Sequence, residues 1–482
     1  MTMAEHTVEK IGGTSMSRSD ELAEMLFING REGADLYQRV FVVSAYGGIT
    51  DLLLENKKTG EPGVYAQFAA ADTSMGWSDA LDKVSQAMAE QHNRLLEHPA
   101  DKRAADDFLR ERIEGARSCL LDLQRLCSYG HFRLDEQMMT IRELLSGLGE
   151  AHSAHTTVLM LQRRDVNARL IDLSGWRDES QPTLEERLAD AFADVDLASE
   201  MPIVTGYAQC REGLMREYDR GYSEVTFAHL AARTKAREAV IHKEFHLSSA
   251  DPKIVGEDRV AKIGRTNYDV ADQLSNLGME AIHPSAAKIL RQAGIPLRVA
   301  NAFEPDDPGT LIDAETSGPA RVEMVTGLPL VSLEVFEQDM VGVKGYDAAI
   351  LKALTRHDVW IVSKASNANT ITHYVNGAFK AMQRVEKDIV AEYSGAEIQI
   401  RTVALVCAVG STLAGLQVAR RGLNALADAG IEPIAVQETG RHVDVQFVVT
   451  KEEMAPAIKA LHAALVEEAG QKSETDTRQS VA

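Results

Sequence analysis

Lys10-Ile11-Gly12-Gly13-Thr14-Ser15, led in by Val8-Glu9, closes a short apolar run with glycines and hydroxyls. A second stretch has the same form. Phe41-Val42-Val43-Ser44-Ala45-Tyr46-Gly47-Gly48-Ile49-Thr50 is an apolar strand that runs into a glycine turn. A third, Arg220-Gly221-Tyr222-Ser223-Glu224, opens a helical pattern. Loops of this kind let backbone N–H groups approach a polyanion closely, and Lys10 and Arg220 supply the positive charge an anion needs. The lysine precedes its glycines, so this is not a Walker-type loop, in which the lysine follows them. Together the three stretches read as one phosphate-handling site at the carboxyl edge of an α/β sheet.

Outward from these loops the chain alternates. Strand patterns at 40–45, 168–173, 203–207 and 239–241 are separated by helical ones at 183–193 and 226–236. Residues 52–150 read as mostly helical, with apolar periodicity over 80–96 and 108–126. Strands interleaved with helices predict an α/β fold, a mostly parallel sheet with helices on both faces. After another strand at 295–299, a Pro- and Asp-rich stretch from Glu304 to Pro319 marks a boundary. Beyond it a βαββα order occurs twice: strand 330–336, helix 345–354, strands 359–363 and 370–375, helix 377–391, then strand 402–409, helix 416–429, strands 431–438 and 442–449, helix 454–466. Two ferredoxin-like modules in tandem are expected. The division is 1–318 for the first domain, 321–396 for module one with an entry strand, 400–470 for module two, and a polar, disordered tail at 471–482.

The 482 residues exceed one ordinary core, and 45% hydrophobic with 26% charged residues is a soluble globular composition. A formal net charge of −21 disfavours nucleic acid and anionic membranes as partners. That charge fits either plain solubility or a surface adapted to high salt. No apolar run is long enough to span a membrane, and the first residues carry Glu5, His6 and Glu9 instead of a signal-type pattern, so a cytoplasmic location is expected. Cys119, Cys127, Cys210 and Cys407 form no Cys-x-x-Cys pair, and no metal site is read from the sequence.

Each candidate residue has a plainer alternative. Lys10 is a solvated loop lysine or a mobile charge beside a transferring phosphoryl group. Thr50 is a turn residue or a substrate hydrogen-bond partner. Arg220 is either a surface ion-pair partner of Glu217 or Asp219 or a two-pronged grip on a carboxylate, with the nearby hydroxyl of Ser223 adding a contact. Glu150 taken alone is a solvated helical glutamate, and His283 before Pro284 a packing or capping residue.

The chain resembles the aspartate kinases along nearly its whole length. The resemblance rests on Lys10–Ser15, Val42–Thr50, Arg220–Ser223, Ala250-Asp251-Pro252, Ile282-His283-Pro284, and Ile295–Val299 running into Pro308-Gly309-Thr310-Leu311. It implies an amino-acid-kinase fold followed by two ACT regulatory modules, the first nested in the second, so that 321–326 pair with the second. It implies transfer of the ATP γ-phosphoryl group to the side-chain carboxylate of L-aspartate, with Mg²⁺ on the nucleotide. Carried over by position, Lys10 bridges phosphate and attacking carboxylate, while Arg220, Ser223 and Glu224 hold the aspartate end. Glu150 takes the α-ammonium, with Thr50 nearby. Gly12, Gly13 and Ser15 line the phosphates, and Lys243, Glu244 and Lys253 lie on the nucleotide side. A homodimer or higher homo-oligomer and an amino-acid effector at the ACT modules are also implied.

Four departures stand out. Tyr222 replaces the second glycine and Glu224 the aspartate of the usual Arg-Gly-Gly-Ser-Asp segment. The nucleotide segment, usually Trp-Thr-Asp-Val-Asp-Gly, reads His242-Lys243-Glu244-Phe245-His246, and Glu280 stands where a lysine precedes the His-Pro pair. With the acidic composition, this divergence resembles the specialised form found with ectoine synthesis in salt-tolerant bacteria. Another amino-acid kinase, or a catalytically inactive ACT-domain sensor, are the alternatives. The first lacks tandem ACT modules, and the second does not need Lys10, Arg220 and Glu150.

Overall fold

The computed structural model describes residues 5–70, 75–279, 281–315 and 319–468; Glu280 and the expected disordered tail lie outside the described residues. The chain forms two compact units, Met1–His246 with Ile282–Ala314, and Leu247–Ala281 with Glu315–Ala482.

The first unit is built on β1 (Thr7–Ile11), β2 (Arg39–Val43), β3 (Ala168–Ile171), β4 (Met201–Thr205), β5 (Glu238–Lys243), β6 (Leu297–Asn301) and β7 (Thr310–Asp313). They run in the order β3-β4-β2-β1-β5-β6-β7. All pairs are parallel except β6 with β7. The chain leaves β1 for β2 on one side and later returns to β5 on its other side. That is a switch point, where loops at the carboxyl ends of adjacent strands diverge and leave a crevice. The Lys10, Ser44 and Lys243 loops all leave the sheet there.

Every residue of β1 is buried. Alternate side chains leave a strand on opposite faces, so Glu9 and Lys10 part company. Glu9 meets Arg39 at 2.7 and 3.0 Å and His242 at 2.7 Å. Burial would raise its pKa, but Arg39 and His242 outweigh that and hold it well below the usual range. Arg39 also caps the carbonyls of Leu26 and Phe27. The apolar run after Ser19 is accordingly a short α-helix, Ser19–Leu22, that passes into a π-helical turn, Ala23–Ile28, and stops at Asn29 with φ 45°. A buried guanidinium takes carbonyls that a regular helix end would leave for solvent. The insert after β2 is helical as expected, with long helices Met75–Leu95, Pro99–Cys127 and Met138–Gln162.

In the second unit β8 (Met324–Phe336), β9 (Trp360–Ser366), β10 (Thr370–Asn376), β11 (Glu397–Val409), β12 (Ala435–Glu438) and β13 (Asp444–Thr450) form one sheet, ordered β9-β10-β8-β11-β13-β12. β8 and β11 pair antiparallel over all 13 residues of each. The tandem modules therefore share one sheet, and the start of β8 pairs with the end of β11, whose other edge pairs with β13. Two cores lie under it. One gathers Leu333, Val335, Ile350, Met382 and Val385; the other gathers Val406, Leu426, Phe447, Ile458 and Leu461. Gly422, in the helix Val418–Asp428, is buried against the Phe447 ring, where an added Cβ would overlap it. Gly422→Ala is therefore expected to destabilise this unit by about 1–3 kcal/mol, read as a lower denaturant midpoint. An unchanged midpoint would show that the Phe447 core repacks freely.

Candidate active site

Lys10 reaches across from β1 to the helix Tyr222–Thr234, where its ammonium lies 3.3 Å from Glu224 Oε1. Lys243, the last residue of β5, approaches the same oxygen at 3.7 Å. The other oxygen, Oε2, accepts the backbone N–H of His283 at 2.5 Å. Burial of Glu224 works to raise its pKa, but Lys10, Lys243 and the His283 amide prevail and hold it low. Glu224 is therefore a carboxylate with two ammonium groups beside it. The three side chains sum to one positive charge, which suits an anionic ligand.

Glu150 sits inside the helix Met138–Gln162, 2% exposed. Its pKa is pushed up to about 8 by burial, against the opposing pull of the Tyr207 amide, the Lys10 charge and the Tyr222 hydroxyl. Its Oε2 is buried with no hydrogen-bond partner among the described residues. Gly206, at the end of β4, is the floor of this corner. A Cβ there would stand 2.8 Å from the Ser223 side chain and 3.1 Å from Glu150 Oε1. Tyr222 stacks edge-on to Tyr207 at 5.6 Å between centroids. Burial and the neighbouring Glu150 push its hydroxyl pKa far up, against the pull of Arg220.

The phosphate-loop candidates form a second corner. Gly13 must be glycine, since a Cβ there would lie 2.6 Å from the Ala45 carbonyl oxygen, whereas one at Gly12 would meet nothing. The two glycine turns are also stitched by Ser17, whose hydroxyl donates to the Gly13 carbonyl at 3.2 Å and accepts from the Gly47 amide at 2.9 Å. Ser15, fully buried, donates to Glu244 Oε1 at 2.6 Å.

Arg220 precedes the helix that carries Ser223 and Glu224. Its guanidinium binds Asp51 and the Glu55 carbonyl, with Glu55 Oε1 at 3.4 Å. The sequence suggested Glu217 or Asp219 as its ion-pair partners. Asp219, whose backbone turns through φ 45°, instead pairs with Arg142 at 3.3 Å. Thr50, half-buried, lies beside Asp51 at the start of the helix Ile49–Leu53. His283 is the capping residue expected: its Nδ1 accepts from the Ser285 amide at 3.3 Å, and its ring packs on Gly221. Lys253 belongs to the second unit, in the short helix Pro252–Val255 capped by Asp251. Sequence reasoning had no role for Asp51, Glu55, Tyr207 and Gly206. Only Asp51, next to Thr50 after the glycine turn, carried any local signal.

A family model described as "Amino acid kinase family" matches residues 5–301. The chain is 52% identical over 465 residues to "Aspartate kinase Ask_Ect" of Stutzerimonas stutzeri (strain A1501), a match spanning 96% of this chain and 98% of that protein. It is 27% identical over 356 residues to the aspartokinase of Geobacillus stearothermophilus, spanning 68% and 83%. The crystal structure of E. coli aspartokinase III in complex with lysine and aspartate shares the fold, with a TM-score of 0.72 at 18% identity over 96% of this chain and 100% of that one. On this evidence the chain belongs to the amino acid kinase family and, within it, to the aspartate kinases.

Proposed function

We propose that the corner formed by Lys10, Glu150, Ser223 and Glu224 binds L-aspartate and that its side-chain carboxylate attacks the γ-phosphorus of ATP. The bond to the β-phosphate breaks, its electron pair leaves with ADP, and 4-phospho-L-aspartate forms. The observation that carries this reading is the Glu224 carboxylate holding two ammonium groups beside a buried, protonatable Glu150. The attacking carboxylate is already anionic, so no general base is required, and charge neutralisation and alignment supply the rate.

Each residue then has a task. Lys10 meets the charge on the transferring phosphoryl group, and Lys243 adds a second cation on the nucleotide side, in place of the lysine that Glu280 replaces. Gly12, beside which a Cβ would meet nothing, leaves room for the nucleotide's phosphates close to the backbone, Gly13 lets the loop pack on the Ala45 carbonyl, and Ser15 turns its hydroxyl from Glu244 to donate to the phosphates. Glu244, exposed next to Ser15, is the carboxylate available to the Mg²⁺ that accompanies ATP and offsets its charge. Arg220 exchanges Asp51 and Glu55 for the α-carboxylate of aspartate, with Ser223 beside it. The α-ammonium of aspartate settles against Glu150, which must then ionise.

We further assign 1–318 to the kinase domain, 321–396 and 400–470 to the ACT modules, and the working form to a homo-oligomer in the cytoplasm. The net charge of −21 and the divergent nucleotide segment support supply of ectoine synthesis. In the first module β9 carries Lys364, bound to Asp347 at 2.5 Å, and residues 360–363 include no acid. Lysine is therefore a poor effector.

Catalysis, effector binding and the charge state of Glu150 can each be tested. Hydroxamate trapping is expected with aspartate and not with glutamate, and Lys10→Met to lower kcat by about a hundredfold or more; equal turnover of glutamate would overturn the substrate assignment. Millimolar lysine should leave the rate unchanged, and a clear fall would contradict the effector reading. Aspartate binding near pH 7 should release a proton, seen by calorimetry in buffers of different ionisation enthalpy, and Glu150→Gln should abolish the release. The raised Glu150 pKa also stabilises the ligand-free fold fully below its ordinary value of 4.5, and that contribution is lost as pH rises through about 8. Glu150→Gln should flatten that decline; an identical pH profile in the variant would show the buried acid to be ionised throughout.

A further inference from the structure

At the last residue of the nucleotide segment lies a cluster that the proposed reaction does not use. His246, from the loop after β5, faces two carboxylates from the turn after β6. Its Nε2 lies 3.0 Å from Glu304 Oε2 and its Nδ1 3.6 Å from Asp307 Oδ1. Among the described residues this is the one group of three His, Cys, Asp or Glu side chains whose ligand atoms all fall within 4.8 Å of one another. Nε2 is buried and makes no hydrogen bond, although the Glu304 oxygen is within reach. A buried ring nitrogen facing a carboxylate without hydrogen-bond geometry is a group that lacks its proper partner.

The surroundings fix the carboxylates in advance. Glu304-Pro305-Asp306-Asp307 is a turn closed by the Asp307 amide on the Glu304 carbonyl at 3.0 Å, which brings the two acids to one side. Asn301 donates from its side-chain amide to Glu304 Oε1 at 2.9 Å, and Oε2 faces His246. Gly309 donates its amide to Asp307 Oδ1 at 2.9 Å. Outer contacts of this kind orient carboxylates and histidines that hold metal ions.

We propose that His246, Glu304 and Asp307 bind a divalent cation of the Mn²⁺, Co²⁺ or Zn²⁺ class. One nitrogen with two oxygens favours these over Mg²⁺, which prefers an all-oxygen shell. Water fills the remaining positions, and a small side-chain rotation draws the three ligand atoms together. The cation ties the loop bearing Lys243 and Glu244 to the loop after β6, whose Ala302 amide already bonds the Lys243 carbonyl at 2.8 Å. Its role is to fix the nucleotide-side loops, apart from the ion that travels with ATP. The binding itself depends on no reading of the reaction.

The test uses the full-length protein, stripped with EDTA and free of nucleotide, titrated with Mn²⁺ while free ion is followed by electron paramagnetic resonance, with Zn²⁺ added in a parallel calorimetric run. The wild type should take up one ion per chain at micromolar concentrations, with a rise in Tm. His246→Gln and the double change Glu304→Gln with Asp307→Asn should each weaken binding about tenfold or more and remove the rise. Their circular dichroism and Tm in EDTA should match the wild type. If a variant fails to fold, Co²⁺ added to the wild type provides the second readout, a paramagnetically shifted imidazole signal. Unchanged isotherms in folded variants, no uptake of Mn²⁺ or Zn²⁺ below millimolar concentrations, or no shifted imidazole signal would overturn the site.

Discussion

The ion pair between Lys10 and Glu224 is the constraint around which the first unit is arranged. A lysine near the end of a central strand cannot be buried unless an acid meets it, and breaking such a pair leaves a lone charge that costs about 3–5 kcal/mol. Glu224 answers Lys10 from a helix, holds Lys243 from the next strand and accepts the His283 amide. One carboxylate thus joins the ends of two strands and the starts of two helices. The positive charge left over is what gives the corner its use.

A second balance sits beside the first. Glu9 and Glu150 are both buried glutamates, yet their acidities diverge. Glu9 has an arginine and a histidine against it and stays ionised, whereas for Glu150 burial outweighs an amide, a hydroxyl and the more distant Lys10 charge. Nothing intrinsic to glutamate separates them; the neighbours do. An acid held protonated in the resting protein is ready to ionise when a cationic group arrives, which makes it a selective seat for an ammonium.

Much of this was legible in the chain. The glycine turns, the alternation of strand and helix and the repeated βαββα order all leave local periodic signals, and these led to the α/β sheet and the ferredoxin-like modules. What stayed hidden depends on distance along the chain. Asp51 and Glu55 meet Arg220 across some 165 and more residues, and no spacing announces such a pair. The strand expected at 330–336 begins six residues earlier, at Met324, across Gly327 and Pro329, residues that carry little strand signal. Pro329 is exposed and the strand runs straight through it, as the long pairing with β11 requires. The polar start of β11 was passed over for a similar reason, since Glu397, Gln399 and Arg401 are exposed. Tyr222, noted only as a replacement for glycine, turned out to rest against Glu150.

The account stands on Glu224 acting through the cations it holds and not as an independent contact. A double-mutant cycle on kcat with Lys10→Met, Glu224→Gln and the pair together measures that directly. If one depends on the other, the combined loss falls far short of the product of the separate losses. Losses that multiply in full would mean that the two side chains act separately, and the arrangement described around them would have to be abandoned.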